Sequence, residues 1–411
     1  MADHRVIIVG GGPAGASAAY FLASAGIETV VLDRARFPRD KTCSEYMSPQ
    51  ASRILAAMGA IGEVESAGAA RLAGMRVHAP NGATIHGEFA AAHGFKGYSD
   101  RGLAVRRTVL DTILLEKARS AGASVHEGVR VTDLQRSSDG RIIGVSTLDP
   151  GEKPVDWKAD VVIGADGLRS VVGRRLGLIR ASRWPRRIAL VTHYAGLEHI
   201  GDMGEMHVDR GGYCGVASVG NGLWNVAVVV PVSRAAEVAV DRTEFVQRWI
   251  SERPRLARMF AHAHRVDPVN ATGPFATSAR RAWAPGAALV GDAAEFFDPF
   301  TGEGIYTALR GGELLSGFVA NAASSPQSMD EALRAYEKAR RAEFTGKWMV
   351  ERMVGTAVAF PALINRAATV LSRRRDMADL LVGVVGDFVP AREVLRPGYL
   401  LNLLFTPTGH T

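Results

Sequence analysis

Cysteine is nearly absent. Cys43 and Cys214 are the only two in 411 residues, too few for a disulfide framework and what a reducing compartment leaves as free thiols, so a cytoplasmic protein is expected. Long apolar runs are missing as well: no uninterrupted stretch approaches the roughly 18 residues that a bilayer crossing needs. The small, apolar stretch from Ala16 to Ala25 follows glycines instead of a positive cluster, which argues against a secretory leader. Blocks of one charge sign are also lacking. The 49 Lys and Arg are interleaved with 42 Asp and Glu, for a net charge of +7. That excludes a nucleic-acid-binding face and leaves a mild positive field suited to polyanionic small ligands. Internal repeats and low-complexity linkers are absent, so the domains implied by this length are interleaved instead of strung in series.

What is present begins at once. Val6-Ile7-Ile8-Val9 is an apolar strand running into Gly10-Gly11-Gly12-Pro13-Ala14-Gly15 and then a helix of small residues. The Gly-x-Gly-x-x-Gly spacing lets Gly10 make a tight turn, lets backbone at Gly12 approach a diphosphate, and lets Gly15 pack helix against strand. The helix N-terminus offers unpaired N–H groups to phosphate. Asp33 closes the next apolar run, Thr29-Val30-Val31-Leu32, and lies 18 positions past Gly15, where a carboxylate meets a ribose hydroxyl. Arg34 follows it.

Further along, a helix is expected from about Pro49 to Met58, and strands around the turn Pro80-Asn81-Gly82. A helix from Arg107 to Arg119 and a strand at Ser124 to His126 come next, then a hairpin around Ser138-Asp139-Gly140. The segment from about Arg186 to Pro231 alternates as an antiparallel sheet should. Ala287-Ala288-Leu289-Val290 is one more buried strand, a helix runs from Ile305 to Leu314, and the chain from about Met329 onward is helical with Pro and Gly breaks. Two more strand-ending turns accompany the first: Gly164-Ala165-Asp166-Gly167, and Gly291-Asp292 followed by Asp298-Pro299-Phe300-Thr301-Gly302-Glu303-Gly304. Ligands of α/β sheets bind at such carboxyl ends. A glycine-rich turn opening a helix there aims N–H groups at an electron-accepting ring.

Together these pieces resemble the flavoprotein superfamily of para-hydroxybenzoate hydroxylase, most closely its geranylgeranyl reductase-like branch, over roughly residues 5 to 320. The resemblance implies an α/β fold: a Rossmann-type FAD-binding domain from 1–75, 100–180 and 272–328, an interleaved antiparallel β-sheet substrate domain from 76–99 and 181–271, and C-terminal helices over 329–411. It implies that Gly10, Gly12, Pro13, Ala14, Gly15, Asp33 and Arg34 hold the ADP half of FAD. Arg107 would reach the ribityl and phosphate region, Asp166 would serve flavin and nicotinamide, Gly291 and Asp292 would bind ribitol, and Pro299, Gly302, Glu303 and Gly304 would face the flavin. Lys41-Thr42-Cys43-Ser44-Glu45-Tyr46-Met47-Ser48-Pro49 resembles the branch's Lys-x-Cys-Gly-x-x-x-Ser-Pro, which puts Cys43 at the flavin, but Ser44 replaces the usual glycine. Gly212-Tyr213-Cys214-Gly215 lacks the tryptophan that the branch carries there, and the tryptophan string of the related halogenases is missing.

No second dinucleotide turn occurs, so NAD(P)H would reduce the flavin at a transient site. The leading expectation is a monooxygenase acting on an apolar aromatic or polyketide-like molecule; the alternatives are a reductase of isoprenoid carbon–carbon double bonds and, least favoured, a flavin-binding protein without activity. No catalytic residue is assigned. His193, His199 and His207, with Glu205, lie among expected strands at spacings unlike a metal cluster, so no metal is expected. Ser372-Arg373-Arg374-Arg375 beside apolar helical stretches leaves peripheral membrane contact open. The partner is an apolar small molecule, and oligomeric state is not legible.

Overall fold

The computed structural model describes residues 5–90, 94–149, 151–182, 184–198, 201–324 and 328–407. Two sheets organise them. The first has six strands in the order Trp283–Ala284, Ala287–Leu289, Val161–Gly164, Arg5–Val9, Glu28–Asp33, Ser124–Glu127, all parallel except the first pair. Val6, Ile7, Ile8, Val31, Val162 and Ile163 are fully buried, which is why these strands read as unbroken apolar runs: helices cover both faces. Pro13–Ser24 packs on Gly304–Ala323 at very short range. A side chain at Gly312 would stand 2.7 Å from the Ala14 carbonyl oxygen, and the Ser17 hydroxyl donates to the Leu309 carbonyl at 2.8 Å. Small residues in both helices make that approach possible. The second helix is longer than its expected Ile305–Leu314 span because Leu315, Val319 and Ala322 continue the buried stripe.

The second sheet runs His264–Arg265, Arg187–Ala195, Leu223–Pro231, Gly212–Gly220, Met203–Asp209, Gly74–His78, Thr84–Glu88, with Asn270–Thr272 also pairing the Arg187–Ala195 strand. It departs from the expected antiparallel pattern at one seam, where Met203–Asp209 pairs Gly74–His78 in parallel. These strands come from separate excursions of the chain, so no hairpin fixes their relative direction. Gly74–His78 is one continuous strand, so it crosses the boundary expected at residue 75.

Successive side chains on this sheet alternate between two cores. Tyr213, Val229, Met206 and Val208 face a core completed by Val350, Val358, Ile364, Leu371 and Met377 of the C-terminal helices. Cys214, Val228 and Val226 face Phe245 and Trp249 of the helix Arg242–Ser251. Each fully buried Val or Leu contributes about 1.5–3 kcal/mol. The C-terminal helices begin with Met329–Ala359, started by a Ser328/Glu331 capping box. Pro361–Leu371 follows at a bend of 111°, and among the described residues no single helix is long and apolar enough to cross a membrane.

Candidate active site

The three strand-ending turns open into one cavity of about 690 Å³, lined by Gly10, Gly12, Asp33, Lys41, Asp292 and Glu303 among others. Gly10 takes a left-handed φ of 104°, and a Cβ on Gly15 would stand 1.8 Å from the Gly10 carbonyl oxygen; only glycine serves at either position. Gly12 ends the turn with no side-chain cap on the helix that Pro13 begins, so the first-turn N–H groups are free for a ligand. A Cβ at Gly12 would enter the cradle between Arg39 Nη2, at 3.3 Å, and Arg107 Nη2, at 3.8 Å. Arg39 Nη1 is buried with no hydrogen-bond partner among the described residues. Two guanidinium groups, an orphaned donor and a helix N-terminus at one point fit a diphosphate. Asp33 Oδ2 accepts the Gly11 N–H at 2.7 Å and Oδ1 the Ala35 N–H at 2.8 Å, which fixes the carboxylate at the strand end. Arg34 is exposed at the cavity mouth, and Pro13 and Ala14 form its wall.

The loop from Lys41 to Met47 lines the cavity through Lys41, Thr42, Cys43 and Ser44. Its left-handed residue is Glu45, at φ 63°, not Ser44, so serine in place of the family glycine costs no backbone strain. Glu45 is buried and accepts the Arg107 N–H at 2.8 Å and Asn225 Nδ2 at 3.1 Å. His193 Nε2 lies 2.6 Å from its Oε2, and His193 Nδ1 lies 2.8 Å from Asp267. Burial works against the imidazolium, but the Glu45 bond and charge outweigh it and raise His193 above its ordinary value. Asn225 Nδ2 also donates to the Cys43 carbonyl at 2.8 Å, so the second sheet holds the loop by its backbone. Cys43 lines the cavity half-buried, its Sγ accepting the Glu45 N–H at 3.3 Å.

Two expected cofactor residues are more engaged with the protein than the resemblance implies. Arg107 forms a bidentate pair with Asp111, both bonds 2.7 Å, and Arg39 Nη2 shares that carboxylate at 3.0 Å, so only part of each guanidinium is left for the cavity. Asp166 accepts the Ser170 hydroxyl at 2.6 Å and the N–H groups of Val171 and Val172, capping the short helix Val171–Arg175, while burial raises its pKa. Asp292 is raised by burial too, with Lys41 and Arg107 opposing. Burial lowers Lys41, which Asp292 partly offsets. Gly291 and Gly302 take the positive φ values, 60° and 72°, that their turns require.

Beyond the Pro299–Gly304 turn the cavity changes character. Ala189, Val191, Met206, Ala227, Val229 and Phe275 make an apolar wall, and a buried acid cluster faces it. Burial raises Glu303 to about 7, with Lys347 opposing. Burial, with Glu303, Asp298 and Glu295 nearby, holds Glu351 well above the usual carboxylate range. Asp298 is the paired member: it stands against Arg187 and accepts the Tyr213 hydroxyl at 2.6 Å. Sequence reasoning quoted Lys41 only as part of a motif and missed Arg39, Lys347 and Glu351. The last two had a signal, since Arg340, Lys347 and Glu351 interrupt one buried stripe of the helix Met329–Ala359 at spacings of 7 and 4. His199 lies outside the described residues. Glu205 and His207 are brought together with His78, away from this cavity.

A parallel sheet with a glycine turn, a strand-ending acid and two further turns around one cavity defines a dinucleotide-cofactor oxidoreductase. Residues 3–352 match the family described as FAD binding domain, and the chain belongs to that family, within the para-hydroxybenzoate hydroxylase superfamily and its geranylgeranyl reductase-like branch. It is an FAD-dependent oxidoreductase. The chain is 32% identical over 355 residues to a digeranylgeranylglycerophospholipid reductase of Methanothrix thermoacetophila, covering 85% of each. Two solved structures share the fold. One is a geranylgeranyl bacteriochlorophyll reductase-like protein of Thermoplasma acidophilum (TM-score 0.75, 22% identity, 98% of each chain). The other is a myxobacterial chondrochloren halogenase (TM-score 0.80, 22% identity, 98% of this chain and 97% of that one).

Proposed function

We propose that this chain saturates carbon–carbon double bonds of a long isoprenoid-type substrate, with NAD(P)H as the source of electrons. The observation that carries the reading is the pairing, across one cavity, of an apolar wall with a buried carboxylic acid that titrates near neutrality. Reduction of an alkene adds an electron pair with one hydrogen and then a proton. When bound, FAD supplies the first. The Gly12 cradle with Arg39 and Arg107 would hold its diphosphate, Asp33 a ribose hydroxyl, and Lys41 to Ser44 would line the space for its ring system. Glu303 donates the proton to the second carbon, and the buried Glu351 stands in the same acid cluster. Asp298, paired with Arg187 and accepting the Tyr213 hydroxyl, fixes the turn that carries Glu303. The apolar wall excludes water from the proton's path.

The 32% identical reductase supports this reading over hydroxylation. So does an exposed apolar patch on the C-terminal helices, including Phe360, Leu363, Leu401, Leu404 and Phe405, a surface for resting on the membrane from which a lipid substrate is drawn. The test is anaerobic incubation of reduced enzyme with a geranylgeranyl-chain lipid, followed by mass spectrometry. A product heavier by two hydrogens supports the proposal. A product formed only with oxygen, and carrying it, replaces the proposal with the hydroxylase reading.

A further inference from the structure

Three side chains that serve neither the cofactor cavity nor its acid cluster meet on the opposite face of the second sheet. His78, Glu205 and His207 are buried, at 6%, 2% and 6% exposure. They lie on the parallel seam between Gly74–His78 and Met203–Asp209, where His78 and His207 are register partners. Nε2 of each histidine lies 3.1 Å from the same Glu205 oxygen, Oε2, and the three donor atoms all fall within 4.8 Å of one another. Ligands held at about 2.0–2.1 Å around a tetrahedral zinc ion stand roughly 3.3 Å apart, so two of the three spacings already match.

The orientation of the donors is a second, independent observation. His207 Nε2 is buried and makes no hydrogen bond among the described residues, despite the nearby carboxylate; its lone-pair direction points past that oxygen. His78 Nδ1 is held by Thr84 Oγ1 at 3.0 Å, which fixes the ring and turns Nε2 to the centre, as outer partners do for metal-bound imidazoles. Arg76 Nη1 approaches Oε1 of Glu205 at 3.4 Å, leaving Oε2 as the ligating oxygen.

We propose that His78, Glu205 and His207 bind one divalent transition-metal ion, with zinc the best match to two imidazoles and a carboxylate. The ion is structural. Met206, between Glu205 and His207, lines the cofactor cavity, and alternation puts its neighbours on the far side of the strand. The metal therefore clamps the seam that joins the two excursions of the chain, and so the strand that carries part of the substrate wall.

The experiment uses the full, FAD-loaded chain, stripped with a chelator and titrated with zinc sulfate by calorimetry, with thermal melts and metal analysis alongside. The expected result is one zinc per chain, a melting temperature raised by zinc and not by magnesium, and visible absorption bands of tetrahedral type with cobalt. His207→Ala should abolish stoichiometric binding. Thr84→Val, which keeps all three ligands, should weaken it by about 10–100-fold without changing flavin content. Absence of heat and of any melting shift with the parent protein, or an equal shift with His207→Ala, would overturn the proposal and leave a metal-free, hydrogen-bonded cluster.

Discussion

Glu303→Gln keeps the shape of a buried side chain and removes its acidic proton. In the folded chain burial raises this carboxyl from 4.5 to about 7, and each pH unit of such a difference corresponds to about 1.4 kcal/mol. The unfolded chain titrates near 4.5, so the folded state loses stability as pH climbs from there and carries the full penalty, about 3 kcal/mol, above pH 7. Below 4.5 both states hold the proton and the penalty vanishes. Glutamine never ionises. The variant should therefore exceed its parent in denaturant stability by up to about 3 kcal/mol at about pH 8 and match it in acid, while losing about 10²–10⁴ in turnover if Glu303 is the proton donor. In the parent, the rate at which substrate reoxidises the reduced enzyme should be flat in acid and fall about tenfold per pH unit above 7. Anaerobic stopped-flow at a series of pH values reads the rate, and urea titration reads the stability. A parental rate for the variant together with a flat parental profile would remove Glu303 from the chemistry; an unchanged stability in alkali would refute its burial as a charged group.

Three further outcomes follow from the geometry. Gly12→Val fills the diphosphate cradle 3.3 Å from Arg39 Nη2 but disturbs no core, so the protein should fold and purify colourless; a full flavin spectrum contradicts the placement. Tyr213→Phe deletes the 2.6 Å bond to buried Asp298 and should cost about 1–3 kcal/mol in chemical denaturation, with a loss below a few tenths pointing to water replacing the hydroxyl. His193 is raised above its ordinary 6.5 in the folded state, so its clamp on the cofactor loop is complete below 6.5 and lost as pH rises through the raised value. FAD release, followed by flavin fluorescence, should accelerate in alkali in the parent and lose that pH dependence in His193→Phe.

The three turns were legible because each is a local pattern: an apolar run, a glycine where φ must be positive or a neighbour must come close, and an acid at a set distance. Asp33 was read in this way, and Glu303 through the resemblance of its turn to the family's flavin-facing loop. What escaped depends on long-range closure. Glu45 and His193 meet across 148 positions, and Arg39 and Lys41 sit in a loop whose course no periodicity dictates. His78 was invisible beside Glu205 and His207 because a parallel crossover, not a hairpin, brings it to them. Arg107 and Asp166 show the opposite case. Their motifs were recognisable, but the i,i+4 partner Asp111 and the helix starting at Val171 also claim them.

The helix Pro13–Ser24 that follows the glycine turn is braced by Leu309, Gly312 and Ser316. During synthesis this helix must wait for a segment 292 residues further along before its nucleotide cleft is complete. Cofactor capture is therefore a late event in the life of the nascent protein, and a chain that stalls before that point presents an unfinished cleft in place of a flavoprotein.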